Sequence, residues 1–228
     1  MGRSDTGFYG KLPSRGDFVS RNIDAAFVDA WDPFVRAGLA DARAALGEAF
    51  EPCYLDAPAW VAALGPGVCG PTARLLVMCP SVDAAGRYFP LTAVWPDPAA
   101  EAPPAVRLVL AADWAVETEA ALRNALGPQS DPDALAERLA AIAPPYDPVG
   151  SPGAVIPLDW AEAGAQAACV AQGAHAGLTA SIGLEVGRGG TLRSVWRAPR
   201  SNGRIVLGFG GAPPPTAWRA FLQPEIGP

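Results

Sequence analysis

PTARLLVMCPSVDAAGRYFPLT, residues 71–92, is the stretch from which the fold is predicted. It holds two apolar runs, residues 74–79 and 88–94, on either side of a break at residues 80–87. The break contains Pro, Ser, Asp and Gly, which favour turn geometry, so the stretch predicts a β-hairpin. The runs lack regular polar alternation, which is typical of central strands covered on both faces. This hairpin is therefore the predicted core of a sheet.

The composition indicates a globular chain and argues against two classes of partner. Apolar residues make up 50% and charged residues 18% of the 228 positions, enough to bury a substantial core. The net charge is -6 and the pI about 4.8, so we expect no general affinity for nucleic acid or anionic lipid. The sequence shows neither a signal peptide nor a membrane-spanning apolar run. We expect a cytoplasmic protein without direct membrane insertion.

Upstream of the hairpin, the sequence predicts a strand, a loop and a long helix. GFYGKL, residues 7–12, predicts a short strand whose glycines weaken it or let another backbone come close. LPSRGDF, residues 12–18, predicts a loop. Apolar residues at intervals of three, four and seven then predict a helix over residues 24–49, with Asp24 as its N-cap. Because Pro33 removes a backbone donor, we expect a break at residues 31–33.

The other predicted elements complete the fold class. Short strands are predicted at residues 53–55, 60–64, 178–186, 191–196 and 204–209, the last two joined by the turn signal Asn202-Gly203. Helices are predicted at residues 105–126, at 132–141 with Asp131 as N-cap, and at 216–222. Hairpins outnumber strand-helix-strand units. The predicted fold is therefore α+β, with a mostly antiparallel central sheet built from hairpins and helices packed on its faces.

The domain organisation is predicted to be simple. We expect a single domain over residues 1–228. Proline-rich residues 144–157 are the best candidate for a long loop or for a boundary between subdomains.

Residues able to carry nucleophilic chemistry are few. The cysteines, Cys53, Cys69, Cys79 and Cys169, lack the spacing of a zinc site and the density of a disulfide scaffold, so we expect reduced thiols. His175 is the only histidine and has no acidic residue close to it in sequence. A nucleophilic pair of Cys69 with His175 is conceivable but has no local signature.

Glycine-rich motifs do not match the known nucleotide-binding patterns. Gly10-Lys11 lacks the upstream glycine spacing and the following Ser or Thr of a P-loop. GFGG at residues 208–211 precedes three prolines, which cannot open a helix as a dinucleotide fingerprint requires. No set of acidic residues resembles a phosphatase or kinase metal site. We therefore expect no catalytic residue, metal or cofactor.

Polar residues at two predicted turns remain as the candidate site, and two interpretations of them stay open. Turn Ser and Asp side chains commonly bond nearby backbone, and an Arg can pair with an Asp across a hairpin, which would make the residues structural. Alternatively they form an Arg/Asp patch that recognises a partner protein. The six residues are Lys11, Arg15, Asp17, Ser81, Asp83 and Arg87.

Four blocks within about the first 95 residues carry a family resemblance: GFYGKLPSRGDFVSRNI, FVDAWDPFVRAGLADAR, YLDAPAWVAALGPGVCGP and MCPSVDAAGRYFPLT. In order and spacing they closely resemble the N-terminal domain of the TagF (ImpM) family of bacterial type VI secretion-associated proteins. SVW at residues 194–196 and the predicted final strand and helix also fit this family. The family-typical positions are Gly10, Lys11, Pro13, Gly16, Asp17, Phe18, Pro80, Ser81, Asp83, Gly86, Arg87 and Pro90.

The resemblance implies a cytoplasmic accessory protein that restrains assembly or firing of the type VI secretion apparatus after translation. It implies action through protein contacts, notably with a forkhead-associated-domain scaffold protein and with other secretion components, alongside a threonine kinase and phosphatase pathway. Some relatives carry a PP2C-type phosphatase domain, which we do not expect in a chain that ends at Pro228. The family offers no established catalytic residues to transfer, so the resemblance implies a protein that is not an enzyme.

A second class of function stays open from the residues alone. The chain would then be a small-ligand or nucleotide-binding domain, or a hydrolase that uses Cys69, Ser81 or His175.

Overall fold

The structure of the protein is a computed structural model that describes residues 5–98, 101–145, 168–171, 192–201 and 203–223. These residues form eight strands: β1 (Gly7–Gly10), β2 (Val19–Arg21), β3 (Trp60–Leu64), β4 (Arg74–Cys79), β5 (Leu91–Pro96), β6 (Ala168–Ala171), β7 (Ser194–Arg200) and β8 (Gly203–Phe209). They lie in one sheet in the order β2-β1-β5-β4-β3-β7-β8-β6. All neighbouring pairs are antiparallel.

Helices cover both faces of the sheet. They are α1 (Ala25–Leu46), α2 (Phe50–Leu55), α3 (Pro104–Leu110), α4 (Ala112–Asn124), α5 (Pro132–Ala141) and α6 (Trp218–Leu222), with 3₁₀ turns at Gly47–Ala49 and Pro215–Ala217. Apolar residues of α3, α4 and α5 join one core cluster, and those of α1, α2 and α6 join another on the opposite face. The predicted α+β class, with helices on both faces of an antiparallel sheet, is confirmed.

The central hairpin is formed by β4 and β5, with Leu76 opposite Val94. Every residue of β4 is buried, since Leu75 and Val77 join one core while Leu76 and Met78 join the other. The prediction of strands covered on both faces is therefore confirmed. The second strand begins at Leu91 and not at residue 88, because the chain first forms a long loop closed by a bridge between Val82 and Tyr88.

Helix α1 runs without interruption through Pro33, so the predicted break at residues 31–33 is wrong. Proline deprives the carbonyl of Asp29 of its helical donor, but Pro33 and Asp29 are both exposed and water can hydrate that carbonyl. The predicted N-cap is confirmed, since the Asp24 side chain accepts a bond from the Phe27 N–H. The helix ends at Leu46 and not at residue 49, because the next residue, Gly47, adopts a φ of 54°.

Two other predicted elements are corrected. Residues 53–55 belong to helix α2 and not to a strand, because Phe50 and Tyr54, four residues apart, are both buried on one side. The helix predicted over residues 105–126 is two helices that meet at Ala111, whose ψ of 13° turns the chain between α3 and α4. The prediction also missed β2, whose three residues are too few to show a periodicity.

The remaining predictions agree with the structure or lie outside it. The strand at residues 60–64 is β3, and the helix at 132–141 is α5, where Asp131 accepts a bond from the Asp133 N–H. The C-terminal hairpin is confirmed, although its first strand begins at Ser194 and not at residue 191. The final predicted helix is a 3₁₀ turn followed by α6. The predicted strand at 178–186 and all but two residues of 144–157 lie outside the described residues.

Strand β1 is shorter than predicted, and its glycines allow two close backbone contacts. A Cβ atom on Gly7 would lie 1.9 Å from the Asn22 carbonyl oxygen, and one on Gly10 would lie 2.2 Å from the Pro90 carbonyl oxygen. Gly10 also has a φ of 145°, which a side chain would disfavour. The predicted close approach of another backbone is confirmed on both sides of β1. In the part of the chain described, no helix combines the length and apolarity needed to cross a membrane.

Candidate functional site

The two loops that carry the candidate residues lie against each other. Because β1 pairs with β5, the loop after β1 (residues 11–18) meets the loop between β4 and β5 (residues 80–90) at one end of the sheet. The Ala84 N–H donates to the Arg15 carbonyl oxygen at 2.9 Å, and the Ser81 hydroxyl donates to the Lys11 carbonyl oxygen at 2.7 Å. We call these two segments the paired loops.

A buried ion pair joins the paired loops. Lys11 Nζ lies 2.5 Å from Asp83 Oδ2, and the two side chains are 5% and 0% exposed. Arg87 Nε donates to the same oxygen at 2.7 Å, while Asp83 Oδ1 accepts the N–H groups of Ala85 and Arg87 at 2.9 Å each. Burial by itself raises the pKa of Asp83, but the bonds from Lys11 and Arg87 outweigh it and hold this pKa well below its ordinary value.

Three of the predicted residues lie at the surface of the paired loops. The side chains of Arg15, Asp17 and Arg87 are 49%, 100% and 57% exposed. Arg15 lies 3.6 Å from Asp131 of the α5 N-cap, and Arg87 lies 3.8 Å from Asp17. Exposed pairs of this kind contribute little to stability, so Arg15 and Asp17 are free to make other contacts, whereas Arg87 also bonds the buried Asp83.

The six candidate residues therefore divide into two sets. The first set is buried and bonded across the paired loops, which is the structural interpretation, and comprises Lys11, Ser81 and Asp83. The second set is exposed, as the partner-recognition interpretation requires, and comprises Arg15, Asp17 and Arg87.

Aromatic rings support the paired loops from the side of helix α1. The Phe18 ring stacks on Tyr9 at 5.2 Å and meets the edge of Phe89 at 4.8 Å. Lys11 Nζ lies 5.1 Å from the centre of the Phe18 ring, and the guanidinium of Arg36 lies 5.2 Å from it. The sequence placed aromatic residues beside the first loop, but nothing in it indicated that Arg36 of α1 would reach them.

The groups considered as nucleophiles are buried or lie outside the described residues. Cys69 is 3% exposed, and burial raises the pKa of its thiol to about 12, so the thiol is protonated at neutral pH. Ser81 is 4% exposed, and its hydroxyl donates to the Lys11 carbonyl. His175 lies outside the described residues, as does the side chain of Cys169. The other three cysteines are free thiols, as expected.

A cleft of about 590 Å³ lies away from the paired loops, near the start of α1. Its walls include Asp5, Asn22, Asp24 and Arg74, and Arg74 is itself buried and paired with Asp24. Its volume falls within the range of about 300–1,000 Å³ that is typical of small-molecule sites. Among the described residues, no group of three or more His, Cys, Asp or Glu side chains is placed to hold a metal ion.

Comparisons with known proteins give a family match and matches to solved structures. Residues 7–142 match the family model described as TagF N-terminal domain, Type VI secretion system-associated. The chain is also similar to the crystal structure of PA0076 from Pseudomonas aeruginosa PAO1, with a TM-score of 0.69 and 31% sequence identity. That match covers 96% of this chain and 94% of PA0076. No curated protein matches the chain.

Proposed function

The chain belongs to the family of the TagF N-terminal domain, which is Type VI secretion system-associated, and on this premise we propose that it is a non-enzymatic regulator of that system. The regulator acts after translation, through protein contacts, and restrains assembly of the secretion apparatus in the cytoplasm. Its partner is a forkhead-associated-domain scaffold protein of the apparatus, as expected from the family resemblance.

The observation that supports this proposal is the division of the candidate residues. The Lys11 and Asp83 side chains are 5% and 0% exposed and bonded to each other, so a substrate in solution would not reach them. Arg15, Asp17 and Arg87 remain at the surface and can offer charge and hydrogen bonds to another protein. This arrangement favours binding of a protein surface over chemistry on a small substrate.

The proposal is tested by capture and by secretion together. A tagged copy replaces the native one in cells that make the apparatus, and captured proteins are identified by mass spectrometry while a secreted effector is measured in the medium. We expect capture of the scaffold protein, and more secreted effector in cells that lack the regulator than in complemented cells. Absence of the scaffold, together with unchanged secretion, would refute the proposal.

Charge reversal identifies which surface the partner uses. Arg87→Glu is suitable because the side chain is 57% exposed, whereas reversal at Lys11 would bury an unpaired charge and unfold the loops. Arg138→Glu on α5 makes the same charge change at another exposed position and is the matched control. We expect reduced capture for Arg87→Glu alone, provided that circular dichroism shows both variants folded.

Small-ligand binding is a second candidate function, because of the cleft beside Arg74. Its two carboxylates, Asp5 and Asp24, and its single, already paired arginine give it no strong preference for an anionic ligand. A thermal-shift screen with nucleotides and small metabolites tests it, since a ligand at about 100 times its Kd adds roughly 2.7 kcal/mol to the free energy of unfolding. A reproducible stabilisation by one of them would favour this function over the first.

A further inference from the structure

The hairpin formed by β7 and β8 carries arginines but no acidic residue. Arg197, Arg200 and Arg204 lie within residues 194–209, a stretch of sequence that contains neither Asp nor Glu. The strands on either side of the hairpin, β3 and β6, consist of uncharged residues. In a chain with a net charge of -6, positive charge is therefore concentrated in this part of the sheet.

Two of these arginines are neighbours on one face of the sheet. Arg197 is opposite Val206 in the register, and Arg204 is two residues from Val206 along β8. Because side chains alternate along a strand, both arginines share the face of Val195 and Val206, which belong to the core cluster of α3, α4 and α5. Diagonal positions of this kind are about 7–8 Å apart, within reach of long side chains. We call Arg197 and Arg204 the arginine pair.

Among the described residues, no carboxylate compensates the arginine pair. None of the ion pairs between described residues involves β7 or β8. Burial and the neighbouring charge of Arg204 lower the pKa of Arg197 to about 10, so Arg197 is still charged at neutral pH. The arginine pair thus differs from Arg87, which bonds the carboxylate of Asp83. Two like charges held together cost free energy in the unbound protein.

The arginine pair is accessible and lies at the same end of the sheet as the paired loops. Arg204 is exposed, as is Pro199 opposite it, and Arg197 is half-buried. Strand β3 lies between β7 and β4, and its Val61 is opposite both Arg197 and Val77. The end of β7 that carries Arg197 is therefore the end at which β4 leads into the second of the paired loops.

We propose that the arginine pair is a docking site for a carboxylate-bearing segment of a partner protein, which places an anion between the two guanidinium groups. This inference rests on the proposed function, because it names contact chemistry through which the regulator binds a partner. A carboxylate accepts paired N–H···O bonds from a guanidinium and would relieve the repulsion within the pair. A nucleic acid fits less well, because a chain with a net charge of -6 repels a polyphosphate.

Removal of the half-buried charge should have opposite effects on stability and on binding. Arg197→Met keeps an apolar stem but removes both the repulsion from Arg204 and the cost of burying a cation, so we expect a higher midpoint of urea unfolding. The same substitution should weaken binding of a carboxylate. A lower midpoint would show that the charge of Arg197 is already compensated in the unbound protein.

A charged probe tests the binding chemistry without the native partner. Fluorescein-labelled hexaglutamate is titrated with the full chain at low ionic strength, and fluorescence anisotropy is measured. Hexalysine, which an acidic protein would prefer if only its net charge mattered, and a short oligouridylate are the competing probes. We expect hexaglutamate to bind more tightly than either, and added salt to weaken its complex.

Substitutions at single positions locate the binding site. Arg204→Gln is expected to weaken hexaglutamate binding by about two- to fivefold, the effect of one exposed ion pair, and Arg197→Met by at least as much. Arg138→Gln is the control, because α5 packs on β1 and β2, several strands away from β8. This variant should bind as the unsubstituted chain does. Circular dichroism verifies that each variant remains folded.

Three binding results would overturn the inference: no binding of hexaglutamate, tighter binding of hexalysine or oligouridylate, or equal weakening by Arg138→Gln and Arg204→Gln. The proposed function fails independently of these. If hexaglutamate binds at the arginine pair while the scaffold protein is never captured, the docking chemistry stands and the proposed regulatory role does not. If the scaffold protein is captured equally by the unsubstituted chain and by Arg204→Gln, the regulatory role stands and the arginine pair is not its docking site.

Discussion

At the scale of single residues, the Asp83 carboxylate connects positions that are 72 residues apart in sequence. It accepts bonds from two side chains and two backbone N–H groups, so its charge is compensated although it is buried. A buried ion pair need not increase net stability, because removing both ions from water is costly. Removing only one of the two ions, however, leaves the other one buried without that partner.

Lys11→Met tests this dependence. The substitution keeps an apolar stem of similar length but leaves Asp83 with Arg87 as its remaining cation, so we expect a loss of about 3 kcal/mol in the free energy of unfolding. Urea unfolding followed by circular dichroism measures it. Arg123→Met removes the cation of an exposed pair with Glu119 at a similar distance and is the control. If Lys11→Met lowers the free energy of unfolding no more than Arg123→Met does, by about 1 kcal/mol or less, the account is contradicted.

The depressed pKa of Asp83 predicts how stability depends on pH. In the unfolded chain this carboxyl titrates near its ordinary value of 3.8, and in the folded chain it titrates lower. The folded state therefore binds fewer protons in this window, so the contribution is complete above pH 3.8 and is lost as the pH falls towards the folded pKa.

A comparison with Asp83→Asn isolates this effect from other carboxylates. The variant lacks the titrating group, so we expect the difference in unfolding free energy between the two proteins to shrink as the pH is lowered from 7 to 3. The measurement is a series of urea unfolding curves across that range. A difference that stays constant or grows on acidification would show that the ionised carboxylate is not what stabilises the loops.

At the scale of elements, helix α1 packs against α6 through a glycine. A Cβ atom on Gly38 would lie 2.0 Å from two atoms of the Trp218 ring, which is 1% exposed. The absence of a side chain at this position therefore lets the indole fit against the helix. Trp218 also meets the Phe221 ring edge at 5.6 Å, so a displaced indole would disturb the neighbouring core.

Gly38→Ala is expected to destabilise the protein by about 1–3 kcal/mol through overpacking. Helix propensity alone predicts the opposite sign, a gain of about 1 kcal/mol, so the direction of the change is informative. Thermal and urea unfolding measure it. The same substitution made together with Trp218→Leu should lose much of its cost, since the smaller side chain leaves room for the methyl group. A gain in stability for the single variant would show that Gly38 of α1 and Trp218 of α6 are not in close contact.

The sequence was most informative for elements long enough to show a period or to carry a cap. β4 and helix α5 could be predicted because their apolar patterns and turn or cap residues agree. Residues 53–55 and 19–21 could not, since three residues fit a helix or a strand equally well. Pro33 was misleading because the cost of an interior proline depends on whether the carbonyl it deprives is exposed, which only the tertiary structure decides.

The site was harder to predict than the fold. Ser81, Asp83 and Lys11 were identifiable as turn residues, and the pairing of Arg87 with Asp83 follows from their spacing. The contact of Lys11 with Asp83 does not, because it depends on β1 lying beside β5 in the sheet. Arg36 and Arg43 gave no signal, since an exposed arginine on a helix shows its aromatic neighbours only after folding.

At the scale of the whole molecule, charged side chains gather where the paired loops meet. The chain is acidic overall, and at the end of the sheet that carries the paired loops the cations Lys11 and Arg87 share the buried carboxylate of Asp83. Because Arg15, Asp17 and Arg87 are exposed there, a contact with a partner would involve charged side chains and be sensitive to ionic strength. This distribution supports a contact-based role for a member of the TagF family.

Direct titration of the purified chain into the purified forkhead-associated-domain scaffold protein, by isothermal calorimetry, tests the central claim most directly. The account predicts saturable binding without nucleotide or metal, weakened by Arg87→Glu and unaffected by Arg138→Glu. Absence of binding between the two folded proteins would contradict the claim that this chain acts through contact with that scaffold.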